Sequence, residues 1–96
     1  MLKFLAAAIG SASIAAAVVA SAEPPAGAAA CSGCHPASTR VMSPVPRLAG
    51  LDPAAIVKAM QEFRSGKRAA TVMDRIAKGF TDEEILAIAA WYATQR

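Results

Sequence analysis

Residues 31–35 read Cys-Ser-Gly-Cys-His, and these five positions hold both cysteines and the only histidine of a 96-residue chain. Three chemistries use two cysteines at this spacing. A dithiol redox pair needs strands around it to place the thiols at a helix N-terminus, and no stretch of this sequence alternates as a strand does. A structural zinc ion needs four ligands, and Cys31, Cys34 and His35 supply three. Both readings lack partners elsewhere in the chain.

The N-terminal stretch and the chain length sharpen the question. Residues 1–22 read as an export signal: Lys3 is the basic lead, Phe4 to Ala20 is an apolar run rich in Ala, and Ala20-Ser21-Ala22 is a small-residue cleavage site. The competing reading is an uncleaved anchor, since the run approaches the length that spans a bilayer. Gly10, Ser11 and Ser13 interrupt it and no basic cluster follows, so cleavage after Ala22 is the expectation, with no stable membrane insertion afterwards. Residues 23–96 then form one small domain in the periplasm. Ten Lys/Arg against seven Asp/Glu is too mild an excess to point to nucleic acid. A domain this short buries little apolar surface and needs a staple, yet a disulfide across one helical turn closes too small a loop to provide it.

The third use of the motif meets that need. In C-x-x-C-H both thiols add to the vinyl groups of a porphyrin while the neighbouring imidazole reaches the iron, so one helical turn faces one edge of the macrocycle. One covalent haem c on Cys31 and Cys34, with His35 on the iron, would complete the core. The export signal matches the compartment where this attachment is made.

The remaining sequence predicts an all-α domain of three or four helices and one stiff loop. Ala28 to Cys34 has good helix propensity. Pro36, Pro44, Pro46 and Gly50 make 36–50 a loop. Asp52-Pro53 is an N-cap followed by a first-turn proline, Ile56, Val57, Met60 and Phe63 recur at helical spacing, and Ser65-Gly66 supplies the stop. A short apolar segment runs from about Thr71 to Lys78. Thr81-Asp82-Glu83-Glu84 is a capping box opening a last helix whose Ile85, Ile88, Ala89 and Tyr92 share a face, with Leu86 and Trp91 beside it.

Taken together, CSGCH, Pro46-Arg47-Leu48-Ala49-Gly50, a downstream methionine and "EEILAIAAWYA" near the C-terminus resemble a small class I c-type cytochrome over nearly all of 28–95. Within that family "FRSGKRAATVMDRIAKGFTDEEI" (63–85) is most similar to the haem subunit of flavocytochrome c sulfide dehydrogenase. The resemblance implies a cytochrome c-like fold of three to four helices wrapped around one haem. It also implies that the Pro46 carbonyl accepts a hydrogen bond from His35 and that Leu48 packs on the ring. Trp91 would lie where the first and last helices meet, and Tyr92 nearer the haem.

With no second histidine in the chain, a sixth iron ligand supplied by the mature protein would be one of the thioethers Met42, Met60 and Met73. Met60 lies on the Ile56/Phe63 stripe and reads as core. Met42 is seven residues from His35, and at about 3.5 Å per residue that chain would also have to round the porphyrin within a proline-stiffened loop. Met73 has chain enough, and the resemblance places the family's ligand there; an open or exchangeable position is the remaining alternative. Closed His35/Met73 ligation implies an electron-transfer protein, either the haem subunit of a flavoprotein sulfide dehydrogenase or a free carrier, passing electrons on to a cytochrome or oxidase. An exchangeable position implies a haem enzyme or gas sensor. The chain carries no flavin-binding motif and no spare acid/base histidine, so multi-electron catalysis belongs to a partner. Arg64, Lys67, Arg68, Arg75 and Lys78 surround Met73 and read either as a solvated face or as a docking rim for an acidic partner.

Overall fold

Local sequence chemistry sets the helix boundaries in the computed structural model, which describes residues 3, 9–15 and 23–96. The export signal read over 1–22 lies mostly outside the described residues. Four helices occur and no strand is found among the described residues: α1 (Ala28–Cys31), α2 (Pro53–Ser65), α3 (Met73–Ala77) and α4 (Asp82–Ala93). The Asp52 side chain accepts from the Ala54 N–H at 3.0 Å with Pro53 at the first helical position, and Gly66 closes α2 at φ 81°, a left-handed conformation that a Cβ would strain. The α4 capping box is complete: Glu84 N donates to Thr81 Oγ1 and Thr81 N to Glu84 Oε1, both at 3.1 Å.

α1 is shorter than its propensity suggests. It ends at Cys31, where the Ser32 hydroxyl turns back to the Ala29 carbonyl at 2.6 Å and Gly33 follows, and both favour a turn over continued helix. One helical bond persists past that end, from the His35 N–H to the Cys31 carbonyl at 2.9 Å. Cys34 and His35 therefore continue the turn that Cys31 begins.

α2 packs against both α3 and α4. Ala28, Ile56, Ile88, Ala89 and Tyr92 form the buried cluster, with Cys31, Leu48, Val57, Met60, Phe80 and Trp91 half-buried against it. Ile56 of α2 and the Ile85/Ile88/Ala89/Tyr92 face of α4 are buried as expected, while Leu86 beside that face is 57% exposed. α1 is seated on α4 by its N-cap. Gly27 has φ 88°, and a Cβ there would run into Cε1 of Phe80 and lie 3.5 Å from Ile88 Cδ1. Only glycine meets both conditions.

The 36–50 loop is held by more than its prolines. Arg47 Nε donates to the Ala37 carbonyl at 2.8 Å, joining the two limbs, and Gly50 N donates to the Tyr92 carbonyl at 3.0 Å, fastening the loop's end to α4.

Candidate functional site

Cys31, Cys34 and His35 sit on one turn, with Cys31 half-buried against the core cluster and Cys34 exposed. Burial holds the Cys31 thiol above its ordinary pKa, and its Sγ lies 3.5 Å from the Gly27 carbonyl oxygen, which accepts a hydrogen bond from the S–H. His35 Nδ1 is 2.5 Å from the Pro46 carbonyl oxygen. A carbonyl can only accept, so Nδ1 carries the proton, and in the neutral imidazole Nε2 is left with its lone pair free. Two thiols and one metal-ready nitrogen thus share a turn whose orientation is set by a proline carbonyl eleven residues away.

Leu48, two residues beyond Pro46, packs on the same cluster as Cys31. Tyr92 is buried on α4, and its hydroxyl donates to the Ala28 carbonyl at 2.6 Å, so the polar link between first and last helices is made by Tyr92, with Trp91 edge-on to its ring at 4.9 Å between centroids. Burial, and secondarily the neighbouring Cys31 thiol, raise the Tyr92 pKa.

The methionines differ in setting. Met42 is 96% exposed at the tip of the 36–50 loop, Met60 is packed on the core, and Met73 is half-buried at the start of α3. The charged residues around Met73 also separate. Arg64 binds Asp82 Oδ1 through Nη1 at 2.5 Å and the Phe80 carbonyl through Nη2 at 2.7 Å. Arg68 pairs with Glu62 at 3.1 Å and lies over the Phe63 ring, 5.5 Å from its centroid. Lys67, Arg75 and Lys78 are exposed and make no ion pair among the described residues. Sequence reasoning grouped all five and missed this division, because the partners of Arg64 lie sixteen and eighteen residues away.

The donor set fits haem c. Two free thiols, an imidazole nitrogen freed by its tautomer and a half-buried thioether are the groups that haem attachment and ligation require. The core fits as well: no large side chain among the described residues is fully buried, while Val72 and Ile76, flanking Met73, are 48% and 38% exposed. A broad apolar ligand suits that arrangement. The open groove between α2 and α4, about 440 Å³ and lined by Pro53, Val57 and Leu86, holds none of these groups.

No family model matches the chain. Among curated proteins, it is 42% identical over 62 residues to the cytochrome subunit of sulfide dehydrogenase of Chlorobaculum tepidum, an alignment covering 65% of this chain and 56% of that one. It is 43% identical over 65 residues to the thiosulfate dehydrogenase electron acceptor of Stutzerimonas stutzeri, covering 66% of this chain and 30% of the relative. It is 41% identical over 66 residues to cytochrome c4 of Thiocapsa roseopersicina, covering 68% and 34%. The chain thus spans from about a third to just over half the length of these relatives. Given the CSGCH turn and the all-α fold, it is a c-type cytochrome with covalently bound haem c. Within that class it is related to the cytochrome subunit of sulfide dehydrogenase.

Proposed function

We propose that this chain is a periplasmic one-electron carrier in which Cys31 and Cys34 tether a single haem c and His35 and Met73 hold its iron, serving as the haem subunit that takes electrons from a flavoprotein sulfide dehydrogenase. The observation that carries the reading is the 2.5 Å hydrogen bond from His35 Nδ1 to the Pro46 carbonyl, made on the same turn as both thiols. When bound, the haem supplies a ferric/ferrous couple. The protein's own residues do the rest. The Pro46 carbonyl fixes the imidazole tautomer and ring plane and makes Nε2 a stronger donor. Cys31 and Leu48, both packed on the buried cluster, would hold the haem against the core. Met73 would hold the iron together with His35, which would leave no iron position for a substrate, and a thioether donor would favour the ferrous state relative to a second imidazole.

Export with removal of residues 1–22 is part of the same proposal, with a mature protein that would begin at Glu23, shortly before the first helix. The sulfide dehydrogenase assignment draws on the relative's name and on the 63–85 likeness. A free carrier is the second reading, favoured by the relative named as an electron acceptor for thiosulfate dehydrogenase. Purification of the holoprotein from its native periplasm separates the two. Recovery in a stable complex with a flavoprotein, whose flavin is reduced by sulfide and whose electrons reach this haem, is expected for the subunit. Recovery as a lone cytochrome, reduced by sulfide no faster with the flavoprotein than without it, overturns that role. Tight carbon monoxide binding to the reduced wild type would overturn closed ligation and favour an enzyme or sensor.

A further inference from the structure

The segment bearing Met73 is anchored at both ends to the last two turns of α2. At its start, Glu62 holds Arg68: the carboxylate accepts from Arg68 Nε at 3.2 Å and Nη2 at 3.1 Å, and the Glu62 carbonyl accepts from the Arg68 N–H at 3.3 Å. At its end, Arg64 spans the Phe80 carbonyl and the Asp82 carboxylate. The guanidinium fork joins the negative C-terminal turn of α2 to the positive first turn of α4, so both helix ends favour the charges placed there. The same Phe80 puts its ring against Gly27, the residue that opens the helix carrying Cys31. Arg64 therefore ties the Met73 segment to the CSGCH side of the molecule through one residue.

We infer that Arg64 is a positioning residue for the sixth iron ligand, holding the 67–80 segment closed so that the Met73 thioether stays on the iron. The inference rests on the Met73 ligation proposed above and assigns to Arg64 a role other than partner docking. An exposed ion pair alone would contribute little. The half-buried Phe80 carbonyl bond does more, because its loss frees the end of a segment that has only five helical residues of its own.

The test is the rate at which imidazole replaces the native ligand on the ferric holoprotein, a rate limited by the opening of the Met73 segment. Arg64→Ala should speed replacement roughly tenfold, the effect expected for loss of one charge-assisted hydrogen bond. Arg64→Lys, which keeps the charge but cannot span both acceptors, should give an intermediate rate and serves if the alanine variant does not fold. Val57→Ala, in the groove between α2 and α4, is the control for general destabilisation. The inference holds if Arg64 variants exchange faster than Val57→Ala at matched loss of thermal stability. It is overturned if they exchange at the Val57→Ala rate. Met73→Ala identifies which idea failed: if it binds imidazole no faster than wild type, Met73 is not the displaced ligand and the ligation reading falls, taking this inference with it. Fast exchange in Met73→Ala with wild-type exchange in both Arg64 variants overturns the positioning role alone.

Discussion

Tyr92 reaches from α4 to the Ala28 carbonyl and lies beside Cys31, so its protonation is tied to the seating of the CSGCH turn. Its pKa is raised, which means the folded state favours the neutral phenol. That contribution is fully present below the ordinary tyrosine pKa of about 10 and is lost as pH rises through the higher folded value. Unfolding free energy should therefore be insensitive to this group at neutral pH and fall in the alkaline range. Tyr92→Phe should cost about 1 to 2 kcal/mol at neutral pH and flatten the alkaline fall, as measured by denaturant unfolding across pH. Once Cys31 is a thioether it no longer titrates, and burial alone sustains the shift. Gly27 is the second decisive residue. Gly27→Ala must tolerate a positive φ and displace Phe80, so it should destabilise by at least about 2 kcal/mol in thermal unfolding of the holoprotein. A near-neutral result would mean that α1 is not seated on Phe80 as described.

At the scale of elements, α4 was the most legible part of the sequence. Its capping box and its Ile85/Ile88/Ala89/Tyr92 face depend on neighbours within a few positions, and local patterns carry such information. Thr81→Ala should cost about 1 kcal/mol, visible as a lower midpoint in denaturant unfolding with an unchanged slope. α2 was legible for the same reason, through Asp52-Pro53 and Gly66. The 36–50 loop was legible as a loop from its prolines, but Arg47 bonding to Ala37 and Gly50 to Tyr92 were not, since each joins positions brought together only by the fold. Gly27 carried a faint signal, a glycine directly before a helix, where serine or aspartate is the commoner cap. Nothing local showed that Phe80 would occupy the space a side chain needs.

Across the whole molecule, the positive charges divide into anchored and free. Arg64 and Arg68 are paired with carboxylates of the fold, whereas Lys67, Arg75 and Lys78 are exposed near Met73 and make no ion pair among the described residues, so steering of an acidic partner would fall chiefly to these three. A Lys67→Glu/Lys78→Glu variant should slow second-order electron transfer to the physiological partner several-fold at low ionic strength, with the difference shrinking as salt rises. A salt-independent rate would show that these charges are simply solvated. The CSGCH turn made the cofactor legible, because the motif concentrates all of its chemistry in five residues. The proposed sixth ligand was less so, since Met73 ligation would depend on how the chain returns to the haem. Exposure separates Met42 from Met73, at 96% against half-buried, and that contrast motivates the decisive comparison.

That comparison is the ferric optical spectrum of the protein exported and matured with haem, recorded for wild type, Met73→Ala and Met42→Ala. The account predicts the weak far-red charge-transfer band of thioether-to-iron ligation in wild type and in Met42→Ala, and its loss in Met73→Ala. A band that survives in Met73→Ala, or a wild type that carries haem on Cys31 and Cys34 without the band, would contradict it.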